Sequence, residues 1–118
     1  MNHITIPDLT KAPPRQGREL LGGRYAWLAR LADKVRAQHA GTNGDYVAYC
    51  PLSKEYLSCV GVSEQMFDDV IDQGADDGDV VAFFDEHVSD EQRRRANRLI
   101  LEGNARALDR QDAEEGYG

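Results

Sequence analysis

The sequence predicts an all-α fold, a compact single domain of about five helices that follows an extended N-terminal arm. Apolar residues recur at spacings of three and four, which is the period of a helix with one buried face. Residues that favour helix N-termini, such as Ser63 and Ser89, precede several of these segments. The chain has 118 residues, 41% of them hydrophobic and 30% charged, which suits one folded domain rather than a disordered chain.

Residues 1–17 are predicted to form the arm because three prolines and Gly17 resist helix formation there. The first helix is predicted from about Gly17 to Ala40, with Gly41 ending it. An apolar stripe supports this helix. The stripe consists of Leu21, Tyr25, Leu28, Ala32 and Val35.

Four further helices complete the predicted domain, which spans residues 1–118. The first two are expected at about 53–60 and 64–73, the second with Ser63 as its N-cap. The next begins at Asp76 or Asp77 and carries Val80 to Val88, and the last runs from Ser89 through about Asp109. Gln92, three residues after Ser89, is typical of a capping box. Residues 110–118 are expected to fray.

The first predicted helix has an unusual second face, where small residues surround Arg30, Asp33 and Lys34. Small residues allow another segment to approach closely, so we expect Arg30 and Asp33 to be partly buried. Arginine and lysine together can bind a carboxylate or a phosphate. The alternative is local ion pairing of Asp33 with Arg30 and Arg36 at i, i+3. The candidate ligand-binding residues are Arg15, Arg18, Arg30, Asp33, Lys34 and Tyr46.

Charge is unevenly distributed along the chain, which has a formal net charge of −7. Residues 11–35 hold six bases and two acids, whereas residues 45–91 hold thirteen acids and one base. The two segments either neutralise each other within the fold or leave the basic segment facing an anionic ligand or an acidic partner.

Residues 53–67 resemble a DNA-binding helix–turn–helix, but the second helix carries four acids and no base. Phosphates would repel that face, so we expect no nucleic-acid binding.

No metal or cofactor is predicted, because His, Cys and acidic residues lack the spacing of known metal sites. Cys50 and Cys59 are expected to be unbridged. Cys50 is the one candidate nucleophilic thiol, although a buried structural role is the commoner one.

Several short motifs in order resemble the DUF5069 family, a bacterial domain of unknown function, over about residues 7–88. The motifs are Asp8-Leu9-Thr10, Pro13-Pro14-Arg15, Leu21-Gly22-Gly23, the run LARLADKVRA at 28–37, Gly41-Thr42, Gly44-Asp45-Tyr46 and Cys50-Pro51-Leu52. The family often has proline where Ala29 stands and glutamate where Asp45 stands. The resemblance implies a small stand-alone bacterial cytosolic protein, and it brings no activity or catalytic residue with it.

The function expected from these observations is non-enzymatic binding of a small anion or an acidic partner segment. One alternative is a small enzyme that uses Arg30, Asp33, Lys34 and Tyr46, with Tyr46 or Cys50 near the other three. The second alternative is a structural or oligomer-forming protein. We expect a cytoplasmic location and no membrane association, because no apolar run approaches the ~20 residues of a membrane span.

Overall fold

A computed structural model describes residues 5–117, which form six α-helices and no β-strand. The all-α prediction is therefore confirmed, with six helices in place of about five. The helices are α1 (Leu28–Ala40), α2 (Pro51–Val60), α3 (Glu64–Asp72), α4 (Asp77–His87), α5 (Asp90–Leu101) and α6 (Ala105–Glu114). None of these six combines the length and the apolar composition that crossing a bilayer requires.

Helix α1 is the central element of the fold, and every residue from Leu28 to Ala37 is buried. Helix α3 packs against α1, α5 packs against α2, and α6 contacts α5. Phe84 of α4 lies edge-on to both Tyr25 and Phe67, with ring centroids 5.4 and 6.1 Å away. Because α1 is covered on all sides, its charged residues are enclosed together with its apolar ones.

The predicted start of the first helix at Gly17 is wrong, since α1 begins at Leu28. Gly22 and Gly23 have φ angles of 63° and 72°, and an isolated antiparallel bridge joins Leu21 to Tyr25. A left-handed glycine pair interrupts helical hydrogen bonding. Leu21 and Tyr25 are nevertheless buried, so the apolar spacing correctly indicated burial but not helix.

Trp27 fixes the point at which α1 begins. It is the one non-glycine residue of the described chain with a positive φ, 71°, and its amide donates to the Gly17 carbonyl oxygen at 2.7 Å. A Cβ on Gly17 would lie 2.6 Å from the Trp27 ring and 2.9 Å from Leu108. Only glycine fits at position 17, because the Trp27 indole packs directly against its backbone.

The single long helix predicted from Ser89 to about Asp109 is also wrong, because residues 102–104 separate α5 from α6. The Asn104 side-chain amide donates to the Leu99 carbonyl oxygen at 2.8 Å, and the Gly103 amide donates to the Arg98 carbonyl oxygen at 2.9 Å. The Asn104 bond satisfies a carbonyl group at the end of α5, and the Arg98 oxygen accepts from both the Glu102 and the Gly103 amides.

The predicted caps are confirmed. The Ser63 hydroxyl accepts from the Met66 amide, and Ser89 forms a reciprocal capping box with Gln92. Asp76 is the N-cap of α4 and forms a second capping box with Asp79.

The extended N-terminal arm is not confirmed; its residues 1–4 lie outside the described chain. Residues 5–17 contain turns and pack against the domain: Leu9 is buried and its amide donates to the Thr42 carbonyl oxygen at 2.8 Å. Of the tail that was expected to fray, residues up to Glu114 belong to α6, and the Tyr117 hydroxyl donates to the Pro14 carbonyl oxygen at 2.8 Å. Gly118 lies outside the described residues.

We expect Gly17→Ala to lower the free energy of unfolding by about 1–3 kcal/mol, as overpacking of a filled core does. Urea unfolding followed by Trp27 fluorescence measures the change. Gly78→Ala is the matched control, because Gly78 is exposed within α4 and a Cβ there lies 3.4 Å from its nearest atom. The control should leave stability unchanged or slightly higher. Equal stability of Gly17→Ala and wild type would contradict the close approach of the indole.

Candidate functional site

Arg30 of α1 binds Glu115, which follows α6 directly. Its Nη1 and Nη2 atoms donate to the two carboxylate oxygens at 2.8 and 2.6 Å. The two side chains are 3% and 9% exposed, so this is a buried bidentate pair. The Tyr46 hydroxyl donates to the same carboxylate at 3.1 Å. Burial and the neighbouring Glu115 charge raise the pKa of Tyr46, which keeps that hydroxyl protonated as a donor.

Lys34 lies one helical turn after Arg30 and is only 4% exposed. Its Nζ atom lies 3.5 Å from the Cys50 sulfur and 5.5 Å from the centre of the Trp27 ring. No carboxylate of the described chain lies within ion-pair distance of it. Burial lowers the pKa of Lys34, and Arg30 acts in the same direction, against the opposing effects of Cys50 and Glu115.

A cleft of about 360 Å³ opens beside these groups, and we call it the α1–α6 cleft. It lies between α1, the connector at 45–50 and the segment from α6 to Glu115. Three cationic side chains line it, together with one thiol, one phenol, one amide and three acids. They are Arg30, Lys34, Arg110, Cys50, Tyr46, Gln111, Asp45, Glu114 and Glu115.

Two other cavities hold polar groups that already have partners. One, of about 260 Å³, contains Arg36 and His39, which bind Asp77 and the Asp68–Asp72 pair. The other, of about 440 Å³, is bounded by Arg18, whose guanidinium binds Asp109 and Asp112. The α1–α6 cleft differs because it contains a buried cation, Lys34, that no carboxylate balances.

Asp33 belongs to a second cluster, the Arg15 network, which consists of Arg15, Asp33, Arg36 and Asp77. The Arg15 backbone amide, Nε and Nη2 all donate to the Asp33 carboxylate at 2.9 to 3.1 Å. Arg15 Nη1 and Arg36 Nη1 donate to the two oxygens of Asp77 at 2.8 and 2.9 Å. This network joins the N-terminal segment to α1 and to the first turn of α4.

The six predicted residues therefore fall into three groups. Arg30, Lys34 and Tyr46 line the α1–α6 cleft. Arg15 and Asp33 form the adjacent network, linked to the cleft by a 3.3 Å hydrogen bond from Arg30 to the Arg15 carbonyl oxygen. Arg18 binds Asp109 and Asp112 of α6 and does not line the cleft. The expected burial of Arg30 and Asp33 is confirmed, and the alternative of i, i+3 ion pairs within the helix is wrong, because each binds another element.

Four contributors to the site were not predicted from the sequence: Glu115, Trp27, Ser53 and Asp77. Glu115 was assigned to a frayed tail, although Tyr117, two residues later, was an available sign of anchoring. The Trp27 indole donates to the Ser53 hydroxyl at 3.0 Å, and nothing in the local sequence indicates that contact. Cys50, which the enzymatic alternative placed near Arg30, Asp33 and Lys34, lies beside Lys34. Cys50 and Cys59 are both free, as expected.

The described residues contain no group of three side chains suited to bind a metal ion. The sequence profile described as "Domain of unknown function (DUF5069)" matches residues 11–116. The chain belongs to the DUF5069 family. The match extends the resemblance seen over residues 7–88 through α5 and α6, so the DUF5069 domain includes Glu115 and the whole α1–α6 cleft. A search of curated proteins found no match to the chain.

Asp33→Ala is expected to lower the free energy of unfolding by about 3 kcal/mol, the lower end of the ~3–5 kcal/mol found when one partner of a buried ion pair is removed. We expect the smaller loss of stability because Arg15 keeps Asp77 as an ion-pair partner when Asp33 is removed. Asp109→Ala is the control, since this partner of Arg18 is 70% exposed and should cost less than ~1 kcal/mol. A difference below about 0.5 kcal/mol between the two variants in urea unfolding would contradict the buried network.

Stability should also depend on the protonation of Asp77. Hydrogen bonds from Arg15 lower the pKa of Asp77, partial burial opposes them, and Arg36 adds to the lowering. A lowered pKa stabilises the fold above the unfolded-state value of about 3.9, and this stabilisation is lost as pH falls through the folded-state pKa. Wild type should therefore be more stable than Asp77→Asn at pH 7, and the difference should shrink below about pH 4. Urea midpoints that differ equally at pH 7 and pH 3 would contradict this.

Proposed function

We propose that this DUF5069 protein is a non-enzymatic binding domain that takes a small anion, or the acidic side chain of a partner segment, in the α1–α6 cleft. The observation that carries the proposal is Lys34, a buried ammonium group with no carboxylate partner among the described residues. A buried charge without a counter-charge is costly. Binding an anion beside Lys34 would remove that cost.

The neighbouring groups favour a carboxylate or a phosphate over a halide ion. Arg30 already holds the planar carboxylate of Glu115 in two parallel hydrogen bonds, and Tyr46 adds a third. The Arg30 Nε atom is buried and has no hydrogen-bond partner. The amide of Gln111 and the guanidinium of Arg110 line the cleft from α6. An oxyanion offers several acceptors to the donors that Glu115 does not occupy, which are Lys34, Arg110, Gln111 and the Arg30 Nε atom.

The enzymatic alternative that uses Arg30, Asp33, Lys34 and Tyr46 together has less support. Asp33 accepts three hydrogen bonds from Arg15 and does not line the cleft, so the four groups do not face one substrate. Removing Asp33 from the set leaves donors and cations, which suit anion recognition better than proton abstraction.

Thermal unfolding in millimolar phosphate, acetate and citrate, at constant ionic strength, tests the proposal. A ligand at ten times its Kd adds about 1.4 kcal/mol by mass action, enough to raise Tm by several degrees in a domain of this size. We expect at least one oxyanion to raise Tm of wild type, and Lys34→Met to abolish the shift.

Lys54→Met is the control, because Lys54 is exposed on α2 and does not line the cleft. It should respond to the anion as wild type does. Equal responses of Lys34→Met and Lys54→Met, or no response of wild type to any of the three anions, would sink the proposal.

A further inference from the structure

Cys50 lies at the inner side of the α1–α6 cleft, at the N-cap of α2. Its side chain is half-buried, and its sulfur has two polar neighbours. The Lys34 Nζ atom is 3.5 Å away and the Ser53 Oγ atom is 3.4 Å away. Lys34 comes from α1 and Ser53 from the first turn of α2, so two elements converge on one sulfur.

Both neighbours are able to donate a hydrogen bond to this sulfur. An indole N–H can only donate, so the Ser53 oxygen accepts from Trp27 at 3.0 Å. The hydroxyl proton of Ser53 is not used in that bond and can be directed to Cys50. An ammonium group also has no acceptor, so Lys34 donates as well. A sulfur that faces two donors is better satisfied as a thiolate than as a thiol, which carries a proton of its own.

The balance of charge favours the same form. Two of the three cations in the cleft are buried, and of these Arg30 is matched by Glu115 whereas Lys34 has no carboxylate within ion-pair distance among the described residues. Its nearest group able to carry a negative charge is the Cys50 sulfur. Burial raises the pKa of Cys50, but the Ser53 hydrogen bond and the Lys34 charge outweigh burial, and the pKa is lowered overall. A thiolate beside a lysine is the nucleophilic form of cysteine.

We propose that Cys50 is a reactive thiolate, held by Lys34 and Ser53, that attacks small uncharged electrophiles such as hydroperoxides entering the α1–α6 cleft. With hydrogen peroxide, the sulfur attacks one oxygen, the S–O bond forms and the O–O bond breaks. Sulfur is oxidised to the sulfenic acid, the attacked oxygen keeps its hydrogen, and the other oxygen is reduced and leaves as hydroxide, which a buffer acid protonates to water.

This inference does not rest on the anion-binding proposal, although the two share Lys34. One ammonium group balances one negative charge, so a bound oxyanion and the thiolate compete for it. An anion in the cleft is therefore expected to slow the reaction of Cys50.

The test measures alkylation of native protein by iodoacetamide, in which the S–C bond forms and iodide leaves. Peptide mass spectrometry follows Cys50 and Cys59 separately between pH 5.5 and pH 9. Cys59 is the internal control, since it is equally half-buried and has no charged partner. We expect Cys50 to react about tenfold faster at pH 7, with a midpoint below the value of about 8.5 for a free thiol.

Two variants each remove one contact of the Cys50 sulfur, and a third serves as their control. Lys34→Met should raise the midpoint and slow Cys50 about tenfold at pH 7, because an opposite charge at this distance shifts a pKa by one unit or more. Ser53→Ala should act in the same direction if Lys34→Met does not fold, whereas Lys54→Met should leave the rate unchanged. With hydrogen peroxide and dimedone, the sulfenic acid adduct should appear on Cys50 and not on Cys59.

A Cys50 that reacts no faster than Cys59, or whose midpoint stays at the free-thiol value, overturns the proposal. So does an unchanged rate in the folded lysine or serine variant. Fast reaction of Cys50 that phosphate, acetate and citrate do not slow would leave the thiolate standing and count against the anion site.

Discussion

The position of Trp27 determines most of what surrounds the α1–α6 cleft. Its left-handed backbone ends the turn at 21–25 and starts α1, and its amide is held by the Gly17 carbonyl group. The ring lies under both Arg30 and Lys34, at 5.7 and 5.5 Å from the ring centre. A cation over an aromatic face is stabilised without a counter-ion, typically by about 0.5–2 kcal/mol. Trp27 thus helps Lys34 to stay buried without a carboxylate partner.

The basic and acidic segments of the sequence largely neutralise each other through ion pairs between distant parts of the chain. Arginines of the N-terminal third bind acids of α4 and α6: Arg15 and Arg36 bind Asp77, Arg24 binds Asp85, and Arg18 binds Asp109 and Asp112. These contacts tie the irregular segment at 5–27 to helices that come much later in the chain. Lys34 differs from these arginines because no carboxylate of the described residues lies within ion-pair distance of it.

Local features of the fold could be predicted from the sequence, because their causes are local. Ser63, Asp76 and Ser89 each satisfy backbone amides within three residues, so their positions indicate the helix starts directly. The start of α1 could not be obtained from periodicity, because Leu21 and Tyr25 keep the spacing of a buried face while the glycines between them leave the helical conformation.

The candidate site was partly predictable for a similar reason. Small residues around Arg30 and Lys34 indicated that another segment covers these two side chains. This signal lies within the sequence of α1 itself, so it could be detected without knowing the rest of the fold. The identity of the covering group was not available from the sequence, because Glu115 lies 85 residues away from Arg30. Asp77 and Ser53 reach the cluster through tertiary packing in the same way, and a single sequence does not encode such contacts in any local pattern.

The separation of Arg30 from Glu115 along the chain limits when this ion pair can form during synthesis. A ribosome that adds about 5–20 residues per second needs about 4–17 seconds to travel the 85 residues between them. Throughout that interval the Arg30 guanidinium lacks its Glu115 partner. The side of α1 that carries Arg30 can therefore be closed with its counter-charge only after α6 has emerged.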